Sequence, residues 1–429
     1  MDNVTHTMIG LIAGETVFEH SDRRIRDGGA PRGLPARVRR SALVAVAIIG
    51  SNLPDVDLLW SYGGSSGNHL RYMLSHRGYT HTVLGCAALA ALLYGCAEVW
   101  LRIRRVGLSA VDRALLFGTA FMTTALHLAM DYLNSYGVHP YWPVDDHWRY
   151  GDSVFIVEPL YWVAAAPLFR RLESRLSRAL FVSAIAVVVA LGAATRLLSV
   201  GSCAVLLIGA LALDLLGRRM SAVSASRLSV GVAVFVTLAF VWAGQVAAQR
   251  ADALAQELFG RVRDGAGRAL DHVLTPMPVN PMCWDVWLLG TRGERYIARH
   301  VVLSIAPMVE KASACPASVE PHTARLTPVP EQNSDGLRWM GEYSTALPEL
   351  LLQATSTCDA NAFMQFARAP FSSTKPRTLL GDLRFDRGRE RGSFEVGLDE
   401  PSPAVASDCP RTPPWIAPRA DLFATPELR

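Results

Sequence analysis

Long apolar runs, closed off by arginine clusters, restrict this chain to one kind of architecture. Runs near 42–60, 83–101, 115–133, 179–198, 199–216 and 228–248 stand out in the 429 residues, half of which are apolar. About 20 apolar residues make a helix long enough to cross a ~30 Å hydrocarbon core. A shorter run at 155–169 and an N-terminal one at 4–19 bring the expected total to seven or eight crossings. Arginines gather at 23–40, 102–105, 170–178 and 218–227. The positive-inside rule puts all four clusters in the cytoplasm, and alternating spans connect them without contradiction. The loops at 61–81 and 132–154, and everything after 249, then face outward. If 4–19 crosses, the N-terminus starts outside. No basic segment precedes the first apolar stretch and no small-residue cleavage site follows it, so no cleavable secretory signal is expected.

The fold class expected is mainly α: a transmembrane helical bundle over 1–248. Residues 249–275 read as an exposed amphipathic connecting helix. Residues 276–429 are richer in Pro and Gly, with strand-like runs such as Tyr296–Ile305. They read as an outward-facing β-rich or α+β domain whose last ~30 residues form a Pro-rich, poorly ordered tail. Cys283, Cys315, Cys358 and Cys409 would lie in an oxidising compartment, so one or two disulfides are expected, with the pairing left open. No CxxC pair is present, which argues against a cysteine zinc site.

His127 and Asp131 lie four apart in an apolar run, on one face of a helix. Ionisable groups at membrane depth are costly and mark functional sites. The bland account is an intramembrane hydrogen-bonded pair. Asp55 and Asp57 follow Asn52-Leu53-Pro54, where the proline should break the helix and open a bend. They are either a capping turn or two carboxylates of an extended segment pointing the same way. His76 and His81 bracket Arg77-Gly78: either a polar loop, or a turn at Gly78 that aims both imidazoles at one ion. Thr80 or Thr82 suits the cap of the helix that follows. His6, seen alone, suits a solvated helix start. Arg77 suits a substrate oxyanion or a lipid head group. Topology gathers His6, Asp55, Asp57, His76, His81, His127 and Asp131 at one membrane face. Four histidines and three aspartates suffice for one divalent ion, or for two sharing a carboxylate, with zinc favoured and manganese the alternative. His139 and His147, in an aromatic loop with Tyr136, Tyr141, Trp142 and Trp148, are second-tier ligand candidates.

The order Thr5-His6, Leu53-Pro54-Asp55-Val56-Asp57, His76-Arg77-Gly78-Tyr79-Thr80-His81, His127-x-x-x-Asp131 and Tyr136-Gly137 resembles the YdjM-type family of membrane-bound metal-dependent hydrolases. That family is regarded as distantly similar to zinc-dependent phospholipase C and the single-strand zinc nucleases. The resemblance covers roughly residues 1–160, with a looser likeness near 276–287. It implies ligands among His6, Asp55 or Asp57, His76 or His81, His127 and Asp131, with Asp131 as the bridge. The soluble relatives draw more ligands from a later histidine and a later His-x-x-x-acid pair. Here His139, His147, Asp152 and Glu158 are nearby without forming such a pair, so a third metal is not expected.

These observations point to a hydrolase of the bacterial inner membrane with its metal site on the periplasmic side. It would use metal-activated water on a phosphoester, of a small-molecule or lipid-linked substrate, with Asp55 or Asp57 as general base. Nucleic acid is not expected, because the outward surface carries no concentrated basic patch. The competing class is a non-enzymatic membrane protein whose His/Asp cluster is structural or moves metal or protons. Such a protein would place ionisable residues along several spans, yet Arg196 and Asp214 are the exceptions in otherwise apolar later spans. Oligomeric state is not readable from these features.

Overall fold

The computed structural model describes residues 1–27, 33–61, 69–260, 267–316, 326–375, 377–386, 394–399 and 409–423. α1 (Asn3–Asp27) packs along α2 (Ala36–Gly50). The approach is close: a Cβ on Gly14 would come within 2.8 Å of the Val44 Cα. After Pro54 the chain turns through a 3₁₀ segment, Leu53–Asp57, into α3 (Leu58–Ser61), a bend of 53° from α2. The expected proline break is therefore present. α4 (Leu70–Ser75) leads to α5 (Val83–Ile103), whose first turn is capped by Thr82. α6 (Ala110–Tyr132) starts with a capping box between Ser109 and Asp112. α7 (Leu160–Ala164), α8 (Arg175–Ala194), α9 (Val200–Arg218) and α10 (Ala222–Phe259) complete the helical part.

Among the described residues, five helices are long and apolar enough to cross a membrane: α5, α6, α8, α9 and α10. The bent α2–α3 pair makes six. Two expected spans account for the difference. α1 is 25 residues long but carries acidic residues along its length. Glu15 pairs with Arg40, and Glu19 pairs with Arg171. It is a helix held inside the bundle by ion pairs. The run at 155–169 is cut by Pro159 and Pro167 into short α7 and a 3₁₀ turn at Ala166–Arg171. Its apolar side chains, from Tyr161 to Ala166, are buried against protein rather than lipid. A buried short helix and a membrane span look alike in hydropathy.

The connecting helix expected over 249–275 is also different. α10 runs unbroken for 38 residues to Phe259, and β1 begins at Gly267. The end of α10 is exposed on one face and buried on the other. Ala243, Ala247, Ala251, Ala255 and Phe259 form a stripe at four-residue spacing, buried against Trp284, Val286 and Leu288. The sheet that covers it is antiparallel, with strands in chain order: β1 (Gly267–Met277), β2 (Asn280–Arg292), β3 (Arg295–Ser304) and β4 (Leu337–Ala346). α11 (Leu347–Ala354) and α12 (Cys358–Met364) lead to a second antiparallel sheet. Its strands are β5 (Pro370–Ser373), β6 (Leu379–Asp382) and β7 (Glu395–Gly397). Disulfides join Cys283 to Cys315 and Cys358 to Cys409. The expected disordered tail is ordered in part. Residues 409–423 are described, with Trp415 buried, while 400–408 and 424–429 lie outside the described residues.

The two parts are joined by buried polar contacts. Arg368 donates to both oxygens of Asp152 (2.9 and 2.8 Å) and to Asp271 (2.9 Å). Arg384 donates to the Ser135 carbonyl (2.8 Å). Glu158, before α7, accepts from the backbone N–H of Val279 (3.1 Å) in the β1–β2 turn and from that of Leu160 (3.1 Å). Burial pushes the Glu158 carboxyl up to about 8, against those two donors. A carboxyl raised in the folded state contributes stability that is complete below its unfolded value of 4.5 and is lost as pH rises through about 8. Thermal melts in detergent should therefore show Tm falling across that window in the wild type and a flatter profile in Glu158→Gln. Parallel profiles would contradict this account.

Candidate metal centre

The bend after α2 delivers two carboxylates in different directions. A 3₁₀ turn has three residues per turn, so side chains two apart diverge. That replaces the expected extended pair pointing one way. Asp55 reaches the Nε2 atoms of His81 (3.3 Å) and His127 (3.6 Å). Asp57 turns to the 76–81 loop. It accepts from His76 Nδ1 (2.9 Å), the Arg77 backbone N–H (2.9 Å) and the Thr80 hydroxyl (2.9 Å). That loop turns at Arg77, whose φ of 61° is left-handed, rather than at Gly78. Gly78 is needed for room: a Cβ there would meet the Ser75 carbonyl at 3.0 Å and Trp415 at 3.1 Å. Thr82 caps α5, accepting from the Gly85 N–H (2.8 Å).

α6 presents His127 and Asp131 from one face, as their spacing predicts. One donor atom each from Asp55, His81, His127 and Asp131 falls within 4.8 Å of every other. All four residues are buried. The protonation of the two imidazoles follows from their outer partners. His127 Nδ1 lies 2.8 Å from the Ser51 carbonyl oxygen, which can only accept. Thr80 donates to Asp57, so its oxygen accepts from His81 Nδ1 at 3.0 Å. Both Nδ1 atoms thus carry a hydrogen, and a ring that carries only that hydrogen presents its Nε2 lone pair to the centre. Those two Nε2 atoms are 3.0 Å apart. Asp131 Oδ2 stands 3.2 Å from one and 3.4 Å from the other, buried and without a hydrogen bond. In that form, two imidazole lone pairs and two carboxylates converge. A divalent cation satisfies such a set, and two nitrogens with two carboxylate oxygens fit a tetrahedral ion.

A second group, Asp55, Asp57 and His76, meets the same distance limit. Asp55 belongs to both groups, whereas Asp131, expected as the bridge, belongs to the first. His76 and His81 accordingly serve adjacent groups rather than one. Burial lowers the His76 pKa against the pull of Asp57, which favours the neutral ligand form.

The remaining expected residues separate cleanly. His6 is fully buried, stacks on His127 at 3.9 Å and places Nε2 3.3 Å from Asp131 Oδ1. It acts on Asp131 rather than joining either four-way or three-way set. Arg77 is buried, with Nη2 3.1 Å from Asp131 and Nη1 donating to Asn134 (2.8 Å), so it is no lipid head-group contact. His139 is wedged between Trp148 (4.0 Å) and Trp415 (3.7 Å), and burial pushes its pKa down to about 3. His147 is exposed and pairs with Asp145. Asp152 and Glu158 belong to the joint with the sheet domain. None of these four lies in the cluster.

Several contributors left no mark in the sequence. Ser51 acts through its carbonyl. Asn134 accepts from Arg77 and from the Tyr136 N–H. The Met1 amino group contacts Asp131. Trp415 donates to the Leu74 carbonyl (2.8 Å) and closes the outer side of the 76–81 loop. Its partner positions lie more than three hundred residues away, so no local pattern signals it.

Residues 1–199 match the family described as YdjM inner membrane protein. The likeness drawn from short motifs over 1–160 thus holds, and it covers every residue of the cluster. No curated protein and no solved structure matches the chain.

Asp57 holds both His76 and the Thr80–His81 step, so Asp57→Asn removes an acceptor without changing size. Affinity for an added divalent ion, measured by chelator competition, should fall roughly 10–100-fold, with helix content by circular dichroism unchanged. Unchanged affinity would show that Asp57 orients nothing the ion needs.

Proposed function

We propose that this chain, whose residues 1–199 carry the YdjM inner membrane protein match, is a membrane-bound metal-dependent hydrolase. Its substrate is a phosphoester, and we favour a lipid or lipid-linked one. The observation that carries the reading is the facing pair of Nε2 lone pairs, 3.0 Å apart, flanked by Asp55 and Asp131.

Zinc suits the two nitrogens and two carboxylates best, and manganese is the alternative. Asp55, His81, His127 and Asp131 would hold one ion, and Asp55 with Asp57 and His76 would hold a second. A divalent ion supplies a water of lowered pKa and a polarised phosphoryl oxygen. The chain's own groups do the rest. The Ser51 carbonyl and Asp57 fix the histidine tautomers. The proton of the attacking water would go to whichever carboxylate of Asp55 and Asp57 holds no ion. Arg77 keeps a buried Nε without a hydrogen-bond partner beside the cluster, suited to a phosphoryl oxygen.

A cavity lined by Asp57, Trp60, Tyr79, Thr80 and Trp415 adjoins the site. Trp60 and Tyr79 are about half exposed, as aromatics at a membrane surface are, which favours a substrate whose head group enters from the interface. Periplasmic placement is supported by the two disulfides, which persist in oxidising compartments, and by the arginine cluster at the opposite end of α10.

Elemental mass spectrometry of detergent-purified protein is the direct test. Wild type should hold zinc or manganese stoichiometrically, and His127→Ala and Asp131→Ala should each lose it. Metal-loaded wild type should then hydrolyse a phosphoester in a substrate screen, with both variants inactive. A wild type that binds no ion after reconstitution would sink the proposal.

A further inference from the structure

A second feature lies on the far side of α6 from the metal cluster. A laterally open groove of about 1030 Å³ runs between α6 and α10 with α1 as its floor. Its floor is Ile9 and Ile12; its walls include Ala125 and Ala129 of α6 and Val234 and Leu238 of α10. Ala125 and Ala129 are each offset by two residues from His127 and Asp131, about 200° round the helix. The groove and the cluster therefore share a helix and not a space.

Both walls are helices apolar enough to cross the bilayer. Along α6 the lining extends from Phe121 to Leu133, about 18 Å at the helical rise. An empty apolar groove at that depth forfeits dispersion contacts, and water there would lack polar partners. Hydrocarbon chains would restore those contacts. One end is polar: Tyr132, Tyr141 and Arg149 line it. Among the described lining residues, Arg149 is the one charged side chain. It is 47 % exposed and pairs with Asp145, which also contacts His147, so that carboxylate is divided between two partners.

We infer that this groove is a resident lipid site: it holds the chains of a lipid whose phosphate-bearing head meets Arg149. The lipid lies along α1, the helix that carries His6. The inference stands apart from the hydrolase reading, since it uses none of the cluster residues.

The test is lipid retention. Lipids extracted from detergent-purified protein are quantified by mass spectrometry, with metal content read on the same samples. Wild type should retain a phosphate-bearing lipid stoichiometrically. Ala129→Trp and Val234→Trp, which fill the groove from opposite walls, should lose it. Val187→Trp, on the exposed face of α8, should keep it. Delipidated protein is then offered phosphatidylglycerol, a polyprenyl phosphate or diacylglycerol. Arg149→Gln, an exposed change that spares folding, should weaken both phosphate lipids roughly tenfold and leave diacylglycerol unaffected. The preferred phosphate lipid identifies the source as diacyl or polyprenyl. If wild type retains no lipid, if Val187→Trp loses it equally, or if Arg149→Gln weakens all three alike, the site as described does not exist. Lipid loss with wild-type metal content separates this outcome from any failure of the metal centre.

Discussion

Four electron-pair donors from three separate stretches of chain meet where water cannot screen them. Coulomb repulsion between carboxylates grows as the effective dielectric falls, and neutral imidazole lone pairs add to it. The cluster of Asp55, His81, His127 and Asp131 would push apart without a cation and without restraint from outside. Much of the surrounding architecture is that restraint. The Ser51 carbonyl ties His127, Thr80 and Asp57 tie His81, and His6 with Arg77 flanks Asp131. The left-handed Arg77 and the proline bend are the backbone's share of the same task.

The C-terminal domain extends the restraint. Its buried arginines reach into the membrane part at Asp152 and at the Ser135 carbonyl, next to the end of α6. A buried guanidinium between carboxylates is kept only where its hydrogen bonds are complete, which makes such joints unforgiving of displacement. Trp415 then packs on His139 and against Gly78, two residues from His76. The domain thus supports the loop that carries two candidate ligands.

What the sequence disclosed followed local rules. His127 and Asp131 share a helical face because four residues make about one turn, and Pro54 breaks a helix wherever it sits inside one. The direction of Asp55 and Asp57 was not legible, because it depends on a 3₁₀ rather than an extended backbone. The turn at Arg77 instead of Gly78 was hidden for a related reason: surrounding contacts impose a backbone state that residue type alone disfavours. Residues 155–169 show the limit of hydropathy, which records apolarity but not whether protein or lipid will cover it. Trp415 and the Arg368 joint arise from contacts hundreds of positions apart, beyond any window.

α10 is one unbroken rod of 38 residues, about 57 Å long at the helical rise. A bilayer core takes up about 30 Å of such a rod, so nearly half of it stands clear and serves as the spine of the sheet domain. Bilayer thickness sets the tilt of a spanning helix. With no hinge along its length, tilt at one end is leverage at the other. The load on that rod is the domain that seats Trp415 against the 76–81 loop.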